Sequence, residues 1–331
     1  MKTKATIFAI LAAALYAINI PFSKLLLNNI SPTMLAAFLY LGAGTGMIIL
    51  NIASKILKKD TKKEPLTKKE LPYTVAMVVL DIIAPILLMI GISKTTSANA
   101  ALLNNFEIVS TSIIALVIFR EIISKKLWLA IGLVTIASAI LSFEGNGAFA
   151  FNEGSLFVLG ACICWGFENN CTKMISNKSS EEIVIIKGIL SGLGSFAVAT
   201  IIGEHIPAFI WIAPAMLLGF VAYGLSINFY ILAQKDLGAA KTSAYYSTAP
   251  FLGVAFSMIF VGERPQIQFY IALIIMIVST ILMVKDNITL QHTHKHEHTK
   301  NGITYSHTHI HIHGSDSQKH DHEHYSISNS M

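Results

Sequence analysis

Charged side chains are scarce in this 331-residue chain. Asp, Glu, Lys and Arg together supply 13% of it, roughly half the share found in soluble domains. With 53% hydrophobic residues and a mean hydropathy of +0.61, that scarcity excludes an ordinary water-soluble globule. Cysteine is also sparse: Cys162, Cys164 and Cys171 all fall in one apolar block, so no disulfide framework is encoded. Cys162-x-Cys164 has the spacing of a soft-metal motif, but small apolar residues packed in a membrane helix account for it better. Histidine is nearly missing before residue 291, where His205 stands alone. There is no P-loop, nucleophile motif or HExxH, which removes an enzyme reading and ATP-driven transport. Nothing in the pattern calls for nucleic acid.

What is present is a series of apolar runs of about 20 residues, the length that crosses a bilayer core. They predict ten membrane-spanning helices near 5–27, 32–54, 71–93, 96–119, 127–143, 155–175, 182–203, 209–232, 238–260 and 266–284. The first run is too long for a signal peptide and carries Pro21, so it reads as an uncleaved span. With the N-terminus in the cytoplasm, the cytoplasmic segments hold sixteen Lys and Arg before the tail, seven of them between Lys55 and Lys69. The outer loops then hold only Lys24, Lys94 and Arg264. The positive-inside rule therefore predicts a multi-pass plasma-membrane protein with both termini cytoplasmic.

The chain repeats itself. Tyr16-Ala-Ile-Asn19-Ile-Pro-Phe-Ser-Lys24 aligns with Trp165-Gly-Phe-Glu168-Asn-Asn-Cys-Thr-Lys173, and Phe119-Arg-Glu121 aligns with Val261-Gly-Glu263. Five spans per copy invert the second copy relative to the first, a plan common in secondary transporters, with the substrate site near the midplane between the copies. The expected organisation is a first five-helix repeat over 1–145, a second over 146–286, and a disordered cytoplasmic tail over 287–331.

These repeat starts, the span-closing Phe119-Arg120-Glu121 and Gly262-Glu263, and Tyr246-Ser-Thr-Ala-Pro250-Phe-Leu-Gly253 resemble the drug/metabolite transporter superfamily, specifically its EamA-type members. Ala84-Pro-Ile-Leu-Leu-Met89-x-Gly91, Leu102-Leu-Asn104-x-Phe-Glu107 and Trp165-Gly-Phe-Glu168-Asn169-Asn170 look like a branch whose members often end in a His-rich tail. The resemblance covers about residues 5–285. It implies a ten-helix transporter, frequently an exporter, and no particular substrate. Asp81 departs from the pattern, standing where small residues are usual. So does the first repeat, which lacks a counterpart of Pro250.

Ionisable groups inside a span are expensive and mark function or internal pairing. Four are candidates within spans: Asp81, Glu107, Glu168 and Lys187. Asn104 and Glu107, three apart, share a helix face and offer an amide and a carboxylate to an ammonium group, a proton or a metal cation. Glu168 is matched by Asn19 in the first repeat. Lys187 is expected to pair with Glu168, the alternative being a lysine that snorkels to the interface. Asp81, four residues before Pro85, is a candidate proton-coupling acid or an isolated variant. Asn169 reads as a helix–helix hydrogen bonder. Tyr246 matches Asn104 by the 142-residue offset, so both are expected at one cavity, with Pro250 kinking the span just beyond. Gly42, Gly44, Gly46, Gly188, Gly192 and Gly194 read as close helix packing.

The tail carries the remaining histidines at alternate positions: His292, His294, His296 and His298; His307, His309, His311 and His313; His320, His322 and His324. Imidazoles in this pattern suit Zn, Ni or Co, and the composition cannot build a core. Three functions follow. The first is a secondary transporter, exporting a small metabolite by alternating access. The second is a transition-metal cation transporter with a metal-binding tail. The third is a membrane-anchored metal sensor. No cofactor is required. The partners expected are a small-molecule or cation substrate and the lipid bilayer, with a homodimer left open.

Overall fold

The computed structural model describes residues 2–56, 66–119, 125–142, 152–175, 178–237, 245–300 and 303–312. Up to Leu290 the described residues in regular structure are helical. The helices are α1 (Lys2–Ala17), α2 (Asn19–Leu26), α3 (Pro32–Ile56), α4 (Leu71–Lys94), α5 (Ser97–Leu103), α6 (Phe106–Phe119), α7 (Lys125–Ser142), α8 (Glu153–Ile175), α9 (Ser180–Ile201), α10 (Phe209–Gly219), α11 (Ser226–Leu237), α12 (Ala249–Phe256) and α13 (Ile267–Leu290). Two π-helical turns, Phe220–Leu225 and Ser257–Val261, join α10 to α11 and extend α12. Among the described residues, six helical runs are long and apolar enough to cross a membrane: Lys4–Leu26, Pro32–Ser54, Leu71–Lys94, Ser97–Ile118, Ser180–Ile201 and Phe209–Tyr230. Trp128–Ser142, Ala249–Val261 and Ile267–Leu282 are shorter apolar helices. Much of their large apolar surface faces outward, Ile201 being 83% exposed and Phe209 80%, as a lipid-facing surface requires.

Local sequence sets the ends. Ser179 accepts the backbone N–H of Glu182 at the start of α9, the Ser-x-x-Glu spacing of a capping box. Thr96 caps α5 through the N–H of Asn99. Gly203 just beyond α9 and Gly262 after the second π turn have φ of 80° and 73°, the left-handed conformation that releases a helix into a loop.

The packing is symmetric under exchange of the halves. α3 lies on α9, and α7 lies on α13. The contact of α4 with α8 is answered by that of α1 with α11, and that of α6 with α8 by that of α1 with α12. These are the contacts an inverted repeat generates. The α3–α9 crossing is close because glycine faces glycine. A Cβ on Gly188 would stand 2.4 Å from the Gly44 nitrogen, and where α3 meets α10 one on Gly42 would stand 2.0 Å from the Met216 carbonyl oxygen. Small residues admit such backbone approach, so the packing role expected of these glycines holds.

One expectation needs correction. Pro250 does not kink a continuous helix. It sits in the first turn of α12, where its missing N–H would have had no intrahelical partner. α13 runs on to Leu290, and the backbone of Gln291–Lys300 (β1) pairs antiparallel with that of Ile303–Ile312 (β2). His313, His320, His322 and His324 lie outside the described residues.

Candidate functional site

Three helical runs are interrupted. α1 gives way to α2 at Ile18, α5 gives way to α6 at Asn104–Asn105, and α10 passes to α11 through a π-helical turn containing Tyr223. Irregular backbone is tolerated inside a membrane where it lines a cavity, and these breaks surround one of about 590 Å³. Both halves of the chain line it: Tyr16, Tyr40, Asn104 and Glu107 from the first, and Trp165, Glu168, Lys187, Tyr223 and Tyr246 from the second.

At its floor Lys187 bridges two carboxylates, its Nζ lying 2.9 Å from Glu168 Oε1 and 3.1 Å from Asp81 Oδ2. Asp81 is fully buried behind the cavity and also accepts the Tyr40 hydroxyl at 3.0 Å. Glu168 further accepts the hydroxyl of Thr172. The expected Lys187–Glu168 pair is present, and Lys187 does not snorkel. Asp81 is the third member of the group. Its position on α4, packed against α8 and α9, brings it there. Depth along one span is legible in sequence; a partner 106 residues away is not.

Glu107 stands apart from the lysine. Its Oε1 accepts the Asn169 amide at 2.7 Å, tying α6 to α8, so Asn169 is the helix–helix bonder expected of it. Asn169 also donates to Thr111 at 3.3 Å. Asn104 and Glu107 line the same cavity, though the chain turns between them rather than carrying both on one unbroken helix. Asn104 donates to the Tyr16 hydroxyl at 3.3 Å. Tyr246 lines the cavity beside Asn104, as their repeat offset implied. Asn19, the repeat counterpart of Glu168, is not among the lining residues. It is buried and donates to the Tyr223 hydroxyl at 2.8 Å, holding that ring in place.

The sequence reading missed the aromatic wall. Tyr40, Tyr223, Tyr16, Tyr246 and Tyr230 form a continuous series with ring centroids 5.2, 6.0, 5.7 and 5.1 Å apart. One signal was available, because Tyr16 and Trp165 open the two repeat copies and both line the cavity. The π-helical turn that carries Tyr223 leaves no such trace in sequence.

The lining reaches Ser180, the first residue of α9, so the cavity runs toward the end of the bundle bearing the α8–α9 connection. At the opposite end, charged side chains grip backbone groups. Lys24 donates to the carbonyls of Ile92 and Thr95, both at 2.6 Å. Glu263 accepts the N–H groups of Ser97 and Ala98, both at 2.7 Å. Glu204 accepts those of Thr33 and Met34 at 3.2 and 2.7 Å. Each satisfies helix-end groups that would otherwise lack partners. Among the described residues no group of three His, Cys, Asp or Glu side chains is placed to hold a metal ion.

The EamA-like transporter family model matches this chain twice, over residues 3–143 and 152–285. An uncharacterized transporter of Methanothermobacter thermautotrophicus is 23% identical over 290 residues, covering 83% of this chain and 84% of the relative. The uncharacterized transporter YyaM of Bacillus subtilis is 24% identical over 251 residues, covering 71% and 79%. A solved crystal structure superposes with a TM-score of 0.62 at 15% identity, covering 86% of this chain and 97% of its own, a likeness of fold. The broken helices around a cavity shared by two halves, with the doubled family match, make this chain a multi-pass membrane transporter rather than an enzyme: it belongs to the EamA-like transporter family.

Proposed function

We propose that the protein is a secondary transporter that exports a small organic solute carrying an ammonium group, in exchange for protons, across the plasma membrane. The observation that carries this reading is the charge inventory of the cavity. Glu107 and Glu168 line it together with Lys187, and Lys187 is already shared between Glu168 and Asp81, buried behind the lining. In a low-dielectric site, surplus negative charge is neutralised by a proton or by a bound cation. Glu107, held by an amide rather than by an ammonium, is the group free to exchange one for the other. The tyrosine wall beside it offers ring faces, to which ammonium groups are drawn. The volume suits a metabolite rather than a bare ion.

With the Lys-rich segments and both termini in the cytoplasm, the open end faces inward. The Lys24, Glu204 and Glu263 clasps then form the closed outer gate of an alternating-access cycle. Outward direction rests on the resemblance to exporter-type members and on the inward proton gradient that exchange would use. A metal cation is the weaker substrate, since two of the three carboxylates are already committed to Lys187.

The test is ligand binding by purified protein, read as thermal stabilisation against a panel of primary amines, quaternary ammonium ions and zwitterionic amino acids. At least one should stabilise the wild type. Glu107→Gln should weaken it on the order of 10- to 100-fold, the usual worth of a charged hydrogen bond. Binding confined to uncharged or anionic solutes would refute the substrate class.

A further inference from the structure

Asp81 grips the cavity wall from behind. It is fully buried and outside the lining, yet each of its oxygens faces a donor from a residue within the lining. Oδ1 accepts the Tyr40 hydroxyl at 3.0 Å, and Oδ2 lies 3.1 Å from Lys187 Nζ. Tyr40 belongs to α3 and Lys187 to α9, so one carboxylate on α4 holds donors from two other helices. Among the described lining residues Lys187 is the one cation. A hydroxyl and an ammonium converging on the two oxygens of one carboxylate are the donors that would bind the carboxylate of a solute. Here the chain itself supplies that carboxylate, and Glu168, 2.9 Å away, takes a further share of the same ammonium.

We propose that Asp81 sets the charge selectivity of the cavity: by occupying Tyr40 and Lys187 it keeps both from the carboxylate of a solute, so the site takes amines and rejects the corresponding amino acids. This rests on the reading of the solute as an ammonium compound held at Glu107, and adds what the rest of that solute must lack. Asp81 is a positioning residue, acting through two residues of the lining. A carboxylate arriving beside Glu168 would find the one lining cation already shared between two anions. An anion taken out of water without a counter-charge of its own is costly. An apolar or hydroxylated end meets no such cost, and Tyr16, Tyr223 and Tyr246 offer ring surface for it. A repulsive element of this kind separates ligands that share the same attractive group.

The test measures affinity, by thermal stabilisation of the purified full chain, for pairs in which an amino acid adds one carboxylate to an amine: phenethylamine with phenylalanine, tyramine with tyrosine, and cadaverine with lysine. The wild type should favour the amine of a pair it binds at least tenfold, the worth of a charged hydrogen bond. Asp81→Asn keeps the shape and removes the charge, and should gain affinity for the amino acid at least tenfold. A merely structural role for Asp81 would lower both affinities together and could not raise one. The triple variant Asp81→Asn, Lys187→Met, Glu168→Gln, which strands no charge, should lose that gain, because the released ammonium is what binds the carboxylate. A wild type that binds amine and amino acid alike overturns the inference without any variant, and leaves the ammonium reading standing. So does an Asp81→Asn protein that keeps the wild-type preference or loses both affinities in proportion. A wild type stabilised by no amine at all removes the ammonium reading, and this inference with it.

Discussion

Lys187 is the side chain on which the buried electrostatics turn. Replacing it by Met strands Asp81 and Glu168 together in a site where neither is exposed. Removing one partner of a buried ion pair typically costs about 3–5 kcal/mol. Lys187→Met should therefore lower the unfolding midpoint in detergent sharply. The triple variant Asp81→Asn, Lys187→Met, Glu168→Gln should recover most of that loss, because it removes the charges as well as their partner. A triple variant no more stable than Lys187→Met alone would mean the three side chains do not act as one group. Asn19→Ala makes a separate prediction. It should alter transport through Tyr223, which it holds, while leaving the charge group intact. Of these residues, Glu107, Glu168, Lys187 and Asp81 were legible in sequence because ionisable groups stand out in apolar spans. Their grouping was only half legible: Glu168 and Lys187 lie close enough in consecutive spans to be paired by reasoning, but Asp81 reaches them only through packing.

Two of the helical elements make opposite predictions about glycine. At the α3–α9 crossing, Gly188→Ala would push a methyl to within 2.4 Å of backbone on α3. Overpacking of that kind costs roughly 1–3 kcal/mol or separates the helices outright. Gly132 in α7 meets nothing within 4 Å, so Gly132→Ala should be neutral or stabilising by up to about 1 kcal/mol through helix propensity. Thermal melts of the two variants distinguish packing from propensity. The clasped end predicts a change of state rather than of stability. Lys24→Met with Glu263→Gln removes both grips on the α4–α5 connection. A cysteine introduced at Ser112, on a background lacking the three native cysteines, should then become reachable from the outer face by an impermeant maleimide. The spans themselves were legible from apolar length. The breaks at Ile18, Asn104–Asn105 and the π-helical turns were not, because local propensity carries no mark of a cavity.

The whole molecule is two similar halves facing a shared cavity, with one end clasped and the other reached by the cavity. Cysteines placed at Lys68 and Arg264 should be labelled from opposite sides of a sealed vesicle, and Lys68 from the cytoplasmic side. Labelling of both from one side would reject the topology. The doubled family match and the exchange symmetry of helix contacts explain why the site lies between the halves and draws on both. They do not by themselves set its chemistry; the proposed chemistry rests on Glu107, Glu168 and Lys187 in the lining, Asp81 behind it, and a wall of tyrosines. The most direct measurement is flux of small organic ammonium solutes through proteoliposomes bearing an imposed proton gradient, with wild type and Glu107→Gln compared side by side. The account predicts gradient-driven movement of at least one such solute by the wild type, and none by a Glu107→Gln protein that inserts and melts normally. Equal, gradient-driven flux by both proteins would contradict it.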